Sequence, residues 1–66
     1  MRGFIVSDEK KIVWTVSQDG GKTVCGAYAG RGAKRKATVE SGGESRRMTY
    51  AEFRQRYPGV NVIAFD

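Results

Sequence analysis

The segment Gln18-Asp19-Gly20-Gly21-Lys22 constrains the fold more than any other stretch of this 66-residue chain. Asp-Gly and Gly-Gly pairs tolerate the positive φ that a tight reversal demands, so the runs on either side are predicted to pair as an antiparallel hairpin. Residues 11–17, Lys-Ile-Val-Trp-Thr-Val-Ser, form the first arm. Period-two alternation puts Ile12, Trp14 and Val16 on one side and Val13, Thr15 and Ser17 on the other; the first, more apolar set is expected to face the core. The second arm, residues 22–29, alternates Val24, Gly26 and Tyr28 against Cys25, Ala27 and Ala29, and Gly26 within it predicts a bulge or sharp bend.

Upstream, residues 2–7 read as a strand and residues 8–11 as a turn. Downstream, residues 30–33 form a flexible loop leading into Lys34-Arg35-Lys36, and residues 37–40 read as a short fourth strand, poor in apolar side chains and guarded as an edge by its charges. Residues 41–45 are a loop, after which Arg46-Arg47-Met48 briefly resumes an extended conformation. Thr49-Tyr50-Ala51-Glu52 matches the capping box and starts a helix at Tyr50. Tyr50, Phe53 and Tyr57 fall on one stripe of that helix, Pro58-Gly59 ends it, and residues 60–65 form a last strand.

The expected fold is therefore mainly β (α+β): a small five-stranded curled sheet or barrel with one short helix between the fourth and fifth strands. This order of elements resembles SH3-like small barrels, in which a helical turn sits between the fourth and fifth strands. The alternative is a ββββαβ sheet with the helix packed on one face.

Residues 1–66 make one domain, of a size at which a single core buries only about 60% of the unfolded surface. The lone Cys25 cannot form an internal disulfide, which points to a reducing, cytoplasmic setting. The apolar run at the N-terminus is too short for a signal peptide or a membrane span, so a soluble protein made at this length is expected.

Charge indicates the partner. Twelve basic residues face seven acidic ones, and residues 31–56 hold eight of the twelve against only Glu40, Glu44 and Glu52. A net charge of +5 and a pI near 9.8 suit a polyanion: nucleic acid first, an acidic protein surface second. Arg31, Lys34, Arg35 and Lys36 are the densest phosphate donors, and Arg46 and Arg47 join them in one patch if residues 36–40 pair with residues 45–49 or lie near the start of the helix. Tyr28, close to the basic cluster, is the candidate stacking residue, with Tyr50 behind it. Trp14, Phe4, Phe53 and Phe65 are assigned to the core. On the helix, Arg54 should lie along the aromatic edge and Arg56 in solvent.

Other chemistry finds little material. Without His, and with a single Cys, there is neither a nucleophile–base pair of the Cys–His kind nor a zinc ligand set. Gly30-x-Gly32 lacks the rest of a nucleotide-binding fingerprint, so these are read as turn glycines. The expectation is a small, basic, non-enzymatic module that binds DNA or RNA mainly through the phosphate backbone, with no cofactor or metal. The alternative is a protein resembling phage or mobile-element products, which binds and modulates a host partner through that partner's acidic surface. Weak homo-oligomerisation through the edge strand or the final strand is a third expectation.

Overall fold

The central hairpin forms where Asp19-Gly20-Gly21 places it. The computed structural model describes residues 4–5 and 10–65, with strands β1 (Phe4–Ile5), β2 (Ile12–Ser17), β3 (Val24–Gly30), β4 (Ser45–Thr49) and β5 (Val62–Phe65), and helices α1 (Ala33–Ser41) and α2 (Tyr50–Arg56). At the reversal Gly20 and Gly21 take φ of 75° and 92°. The Asp19 carboxylate accepts from Thr23 N at 2.8 Å and Ser17 Oγ at 3.0 Å, while Ser17 Oγ accepts from Gly21 N at 2.7 Å. Hydrogen bonds to the charged form favour it, so the Thr23 backbone N–H, followed by the Thr23 and Ser17 hydroxyls, holds the Asp19 carboxyl below the ordinary aspartate range.

β2 and β3 pair from Val13↔Ala29 to Val16↔Gly26, and then the register shifts to Ser17↔Val24. Cys25 is the extra residue of that bulge, next to the glycine whose place in a strand predicts it.

The sheet is mixed, with four full strands in the order β5-β3-β2-β4 and the two-residue β1 beyond β5. β3 and β5 run parallel; the other neighbours are antiparallel. Because β4 and β1 end the sheet without meeting, the structure is an open sheet and the expected SH3-like barrel does not form.

The largest departure from the sequence reading is at residues 33–41. Residues 37–40, expected as an edge strand, belong to α1, and the fourth strand is Ser45–Thr49, around the stretch expected to be only briefly extended. Thr38 and Val39 are β-branched and favour strand locally, but Ala33, Ala37 and Ser41 at i, i+4 and i+8 are all buried, which is the stripe a helix lays against a sheet. Gly42 and Gly43 close the helix in a Schellman motif: Gly43 N donates to Thr38 O at 2.7 Å and Gly42 N to Val39 O at 3.3 Å, with Gly42 at φ 74°.

The two helices lie on opposite faces of the sheet. Phe53 of α2 is fully buried in a cluster with Val13, Ala27, Ala29, Met48, Val62 and Ala64, and Tyr50, Tyr57 and Val60 pack around it. Burial of a Val or Phe side chain stabilises by roughly 1.5–3 kcal/mol, so this cluster is the main cohesive element. α1 covers the other face, where Lys34 and Lys36 reach the rings of Trp14 and Tyr28 and Thr38 meets Ser45. This inverts the expected facing of β2. Val13, Thr15 and Ser17 are all buried, whereas of the expected inward set Val16 alone is buried, Ile12 being exposed and Trp14 only half-buried. Two helices replace the one helix of both expected architectures. The side chains of Phe4 and Phe65, also expected in the core, lie outside the described residues, as do residues 2–3 and 6–7 of the expected first strand.

Thr49 caps α2 as its motif requires, its Oγ1 accepting from Glu52 N at 3.2 Å. Glu52 itself pairs with Arg56 at 3.0 Å, one turn on. No helix among the described residues is long and apolar enough to cross a membrane.

Candidate nucleic-acid interface

Helix α1 gathers the basic cluster on one face of the molecule. With small residues at every sheet-facing position, its long side chains must project sideways or outward, and Lys34, Arg35 and Lys36 are all exposed. Two of them straddle the helix. Lys34 Nζ lies 5.5 Å from the centre of the Trp14 ring, and Lys36 Nζ lies 5.8 Å from that of Tyr28. Exposed cation–π contacts of this kind are worth about 0.5–1 kcal/mol, enough to bias a side chain without locking it. Arg31 sits in the exposed turn before α1, between Gly30 at φ 104° and Gly32 at φ 85°.

The start of α1 is electrostatically unusual. Gly32 occupies the cap position with no side-chain hydrogen bond, and the first turn holds no acid and three cations. Helix macrodipoles favour the opposite arrangement by about 0.3–1 kcal/mol per charge, so positive potential is concentrated where Arg31, Lys34 and Arg35 meet.

Register decides which of the two β4 arginines joins them. Arg47 is the partner of Trp14 and shares the α1 face, whereas Arg46 is the partner of Thr15 and points to the opposite face. There Arg46 lies against Gly21, so close that a Cβ on that glycine would meet its guanidinium at 3.2 Å. The cleft beside it, about 340 Å³, includes Thr15 and Ser17, but their hydroxyls are engaged internally with Arg46 O and Asp19 Oδ1. Arg46 is therefore separated from the site expected for it. Of the seven expected residues, Arg31, Lys34, Arg35, Lys36, Arg47 and Tyr28 lie on or beside the α1 face.

Comparison with protein-family models, curated proteins and solved structures found no match.

The remaining cations divide by their partners. Lys36 pairs with Glu40 at 3.6 Å, and Arg56 pairs with Glu52. Arg54 lies over the Tyr50 ring at 5.9 Å and donates to Val60 O at 3.5 Å, along the aromatic edge as expected. Among the described residues no carboxylate lies within ion-pair distance of Arg31, Lys34, Arg35 or Arg47. Tyr50 stacks on Phe53, with ring centres 6.4 Å apart, and is half-buried against the core, which weakens its place as a stacking platform.

Trp14 is the residue that sequence reasoning misplaced. Its half-buried ring borders a predominantly apolar groove of about 530 Å³ between α1 and the sheet, bordered also by Ala33, Thr38 and Val39 and by Lys34 and Arg35. Val39, 72% exposed, is the most exposed large apolar side chain among the described residues. The available signal was the spacing Ala33-x-x-x-Ala37-x-x-x-Ser41: read as a helix, it covers the Trp14 side of β2 and directs the opposite alternation set into the main core. Among the described residues no group of three or more His, Cys, Asp or Glu is placed to hold a metal ion.

Proposed function

We propose that this protein is a small, basic, non-enzymatic module that binds nucleic acid through the α1 face, mainly by neutralising backbone phosphates and with little base-edge readout. The reading is carried by one observation: Arg31, Lys34 and Arg35 gather at the start of α1 and Arg47 shares that face of the sheet, all four without carboxylate partners among the described residues. Each phosphate they neutralise releases condensed counterions, so affinity falls steeply with salt. Lys36 contributes when its surface pair with Glu40 opens, an exposed contact worth about 0.3–0.5 kcal/mol.

The test is fluorescence anisotropy with labelled single- and double-stranded oligonucleotides at several salt concentrations. Replacing Lys34, Arg35 and Lys36 together with Gln should flatten the slope of log affinity against log salt by roughly two to three, at about 0.7–0.9 per phosphate contact. Arg46→Gln, on the opposite face, should change it by less than one such contact. Absence of binding at low salt, or equal losses in the two variants, would sink the proposal.

A second reading rests on the edge strand. Tyr50 N donates to Lys11 O, so Met48 and Arg46 hydrogen-bond toward β2, while the main-chain groups of Ser45, Arg47 and Thr49 face outward. An acidic segment of a partner protein adding to this basic edge would suit the alternative of a partner-modulating protein. A stoichiometric protein partner that persists after nuclease treatment would favour it.

A further inference from the structure

We propose that the groove between α1 and Trp14 receives an unpaired nucleobase, which makes a single strand the preferred ligand of the α1 face. This rests on the nucleic-acid reading above and adds the form of the ligand and the place where a base is held.

Phosphate neutralisation alone does not call for an apolar groove, yet one lies directly beside the cations. Trp14, Ala33, Thr38 and Val39 border it, and Lys34 and Arg35 stand at its rim. Its volume, about 530 Å³, falls inside the roughly 300–1,000 Å³ usual for small-ligand sites. Charge complementarity selects the occupant: a flat apolar group that arrives tethered to anions on either side is a base on its sugar–phosphate chain. Arg47, registered beside Trp14 on β4, supplies a further cation on the same face of the sheet. Gly30 and Gly32, which also border the groove, lack side chains, so a backbone can approach its mouth closely.

In the free protein Lys34 occupies the neighbourhood of the Trp14 ring. Breaking an exposed cation–π contact costs about two- to fivefold in affinity. Stacking a base on an aromatic ring returns about 5- to 150-fold. The exchange favours the base, and the displaced ammonium is then free to pair with an adjoining phosphate. Duplex DNA cannot make this exchange without unpairing a base, so it is held by the cations alone.

Trp14 is the only tryptophan in the chain, so its fluorescence reports on this groove alone. The experiment titrates the protein with single-stranded dT12 and with the dA12·dT12 duplex, following both anisotropy of the labelled strand and Trp emission. The expected result is saturable quenching by dT12 that parallels its binding, with little quenching by the duplex. Trp14→Leu, which keeps apolar bulk without a ring, should weaken dT12 binding about 5- to 150-fold and leave duplex binding within about twofold. Val39→Ser, at an exposed position and therefore without a folding cost, should weaken dT12 more than the duplex. Binding of dT12 with unchanged emission, or equal affinity for strand and duplex in wild type and Trp14→Leu, overturns the groove and leaves backbone binding standing. No binding of either form at low salt overturns both.

Discussion

Gly42→Ala separates the observed helix at residues 33–41 from the strand that local propensity suggests. Gly42 follows the last turn of α1 at φ 74°, and a Cβ built on it would meet nothing within 4 Å, so the substitution probes backbone conformation with no steric term. A left-handed conformation costs an L-residue about 1–2 kcal/mol. Against this, alanine restricts the unfolded chain and returns about 0.4–1 kcal/mol, for a net loss on the order of 0.5–1.5 kcal/mol. Unfolding entropy near 2.1 cal/mol/K per residue amounts to roughly 140 cal/mol/K for this chain, so Tm should fall by about 4–10 °C. Gly59→Ala is the matched control. Gly59 has equally open surroundings and is not among the positive-φ glycines, so only the unfolded-state effect applies and Tm should rise by a few degrees. Thermal melts followed by circular dichroism at 222 nm measure both variants. Opposite signs support the Schellman cap; a neutral or stabilising Gly42→Ala would refute the helical assignment of residues 33–41.

Two further outcomes follow from the hydrogen bonding and the core. Phe53→Ala removes the largest fully buried side chain, between Tyr50 and Tyr57, at a cost of about 3–5 kcal/mol. A chain of this length has roughly 3–10 kcal/mol in total, so the variant should be unfolded or barely folded at 25 °C, and a cooperative melt within a few degrees of wild type would contradict the core described above. Asp19 has its folded pKa lowered by the Thr23 N–H and by hydroxyls, so its contribution is complete above the unfolded value of about 4 and is lost as pH falls through the lower folded value. The Tm gap between wild type and Asp19→Asn should accordingly narrow on acidification below about pH 4, and a gap that stays constant from pH 7 to pH 2 would show that the carboxylate charge plays no part in the turn.

Legibility in the sequence followed the range of the interactions. The hairpin at Asp19-Gly20-Gly21, the bulge near Gly26 and the Thr49 cap are decided within a few residues, and each was readable. α1 was not, because its local and long-range signals conflict. Thr38 and Val39 favour strand, and a stripe of only Ala33, Ala37 and Ser41 is too weakly apolar to stand out beside Lys34-Arg35-Lys36. The stripe gains its meaning from a sheet face close enough to bury it, whose strand β2 lies more than fifteen positions away in sequence. The same omission displaced Trp14. With one helix to place, the more apolar set of β2 appeared to be the only inward one; with a helix on each face, Val13 is buried against Phe53 of α2 and Thr15 beside Arg46, while Trp14 is left at the margin of α1. The basic residues were found by composition, but their division was not. Arg46 and Arg47 are adjacent in sequence and opposed in space, and only the pairing of β4 with β2 assigns one to each face.

Placing the cluster on a helix also changes how it would bind. A flexible basic loop conforms to a phosphate backbone and loses affinity to the ordering of each residue, about 1–2 kcal/mol of backbone entropy apiece. α1 is ordered before any ligand arrives, pinned by the Gly42-Gly43 cap and by the contacts of Gln18 with Glu40 O and Thr38 with Ser45. Its cations therefore need to order only their side chains. The small residues that hide α1 in the sequence are what make this arrangement work: alanine at the sheet-facing positions lets the helix lie close to Trp14 and Tyr28, so the ammonium groups of Lys34 and Lys36, two residues apart and on opposite flanks of the helix, settle over aromatic rings instead of dispersing into solvent. Replacing that stripe with larger apolar residues would strengthen the helix signal in the sequence and lift α1 from the sheet, separating the cations from the groove they border.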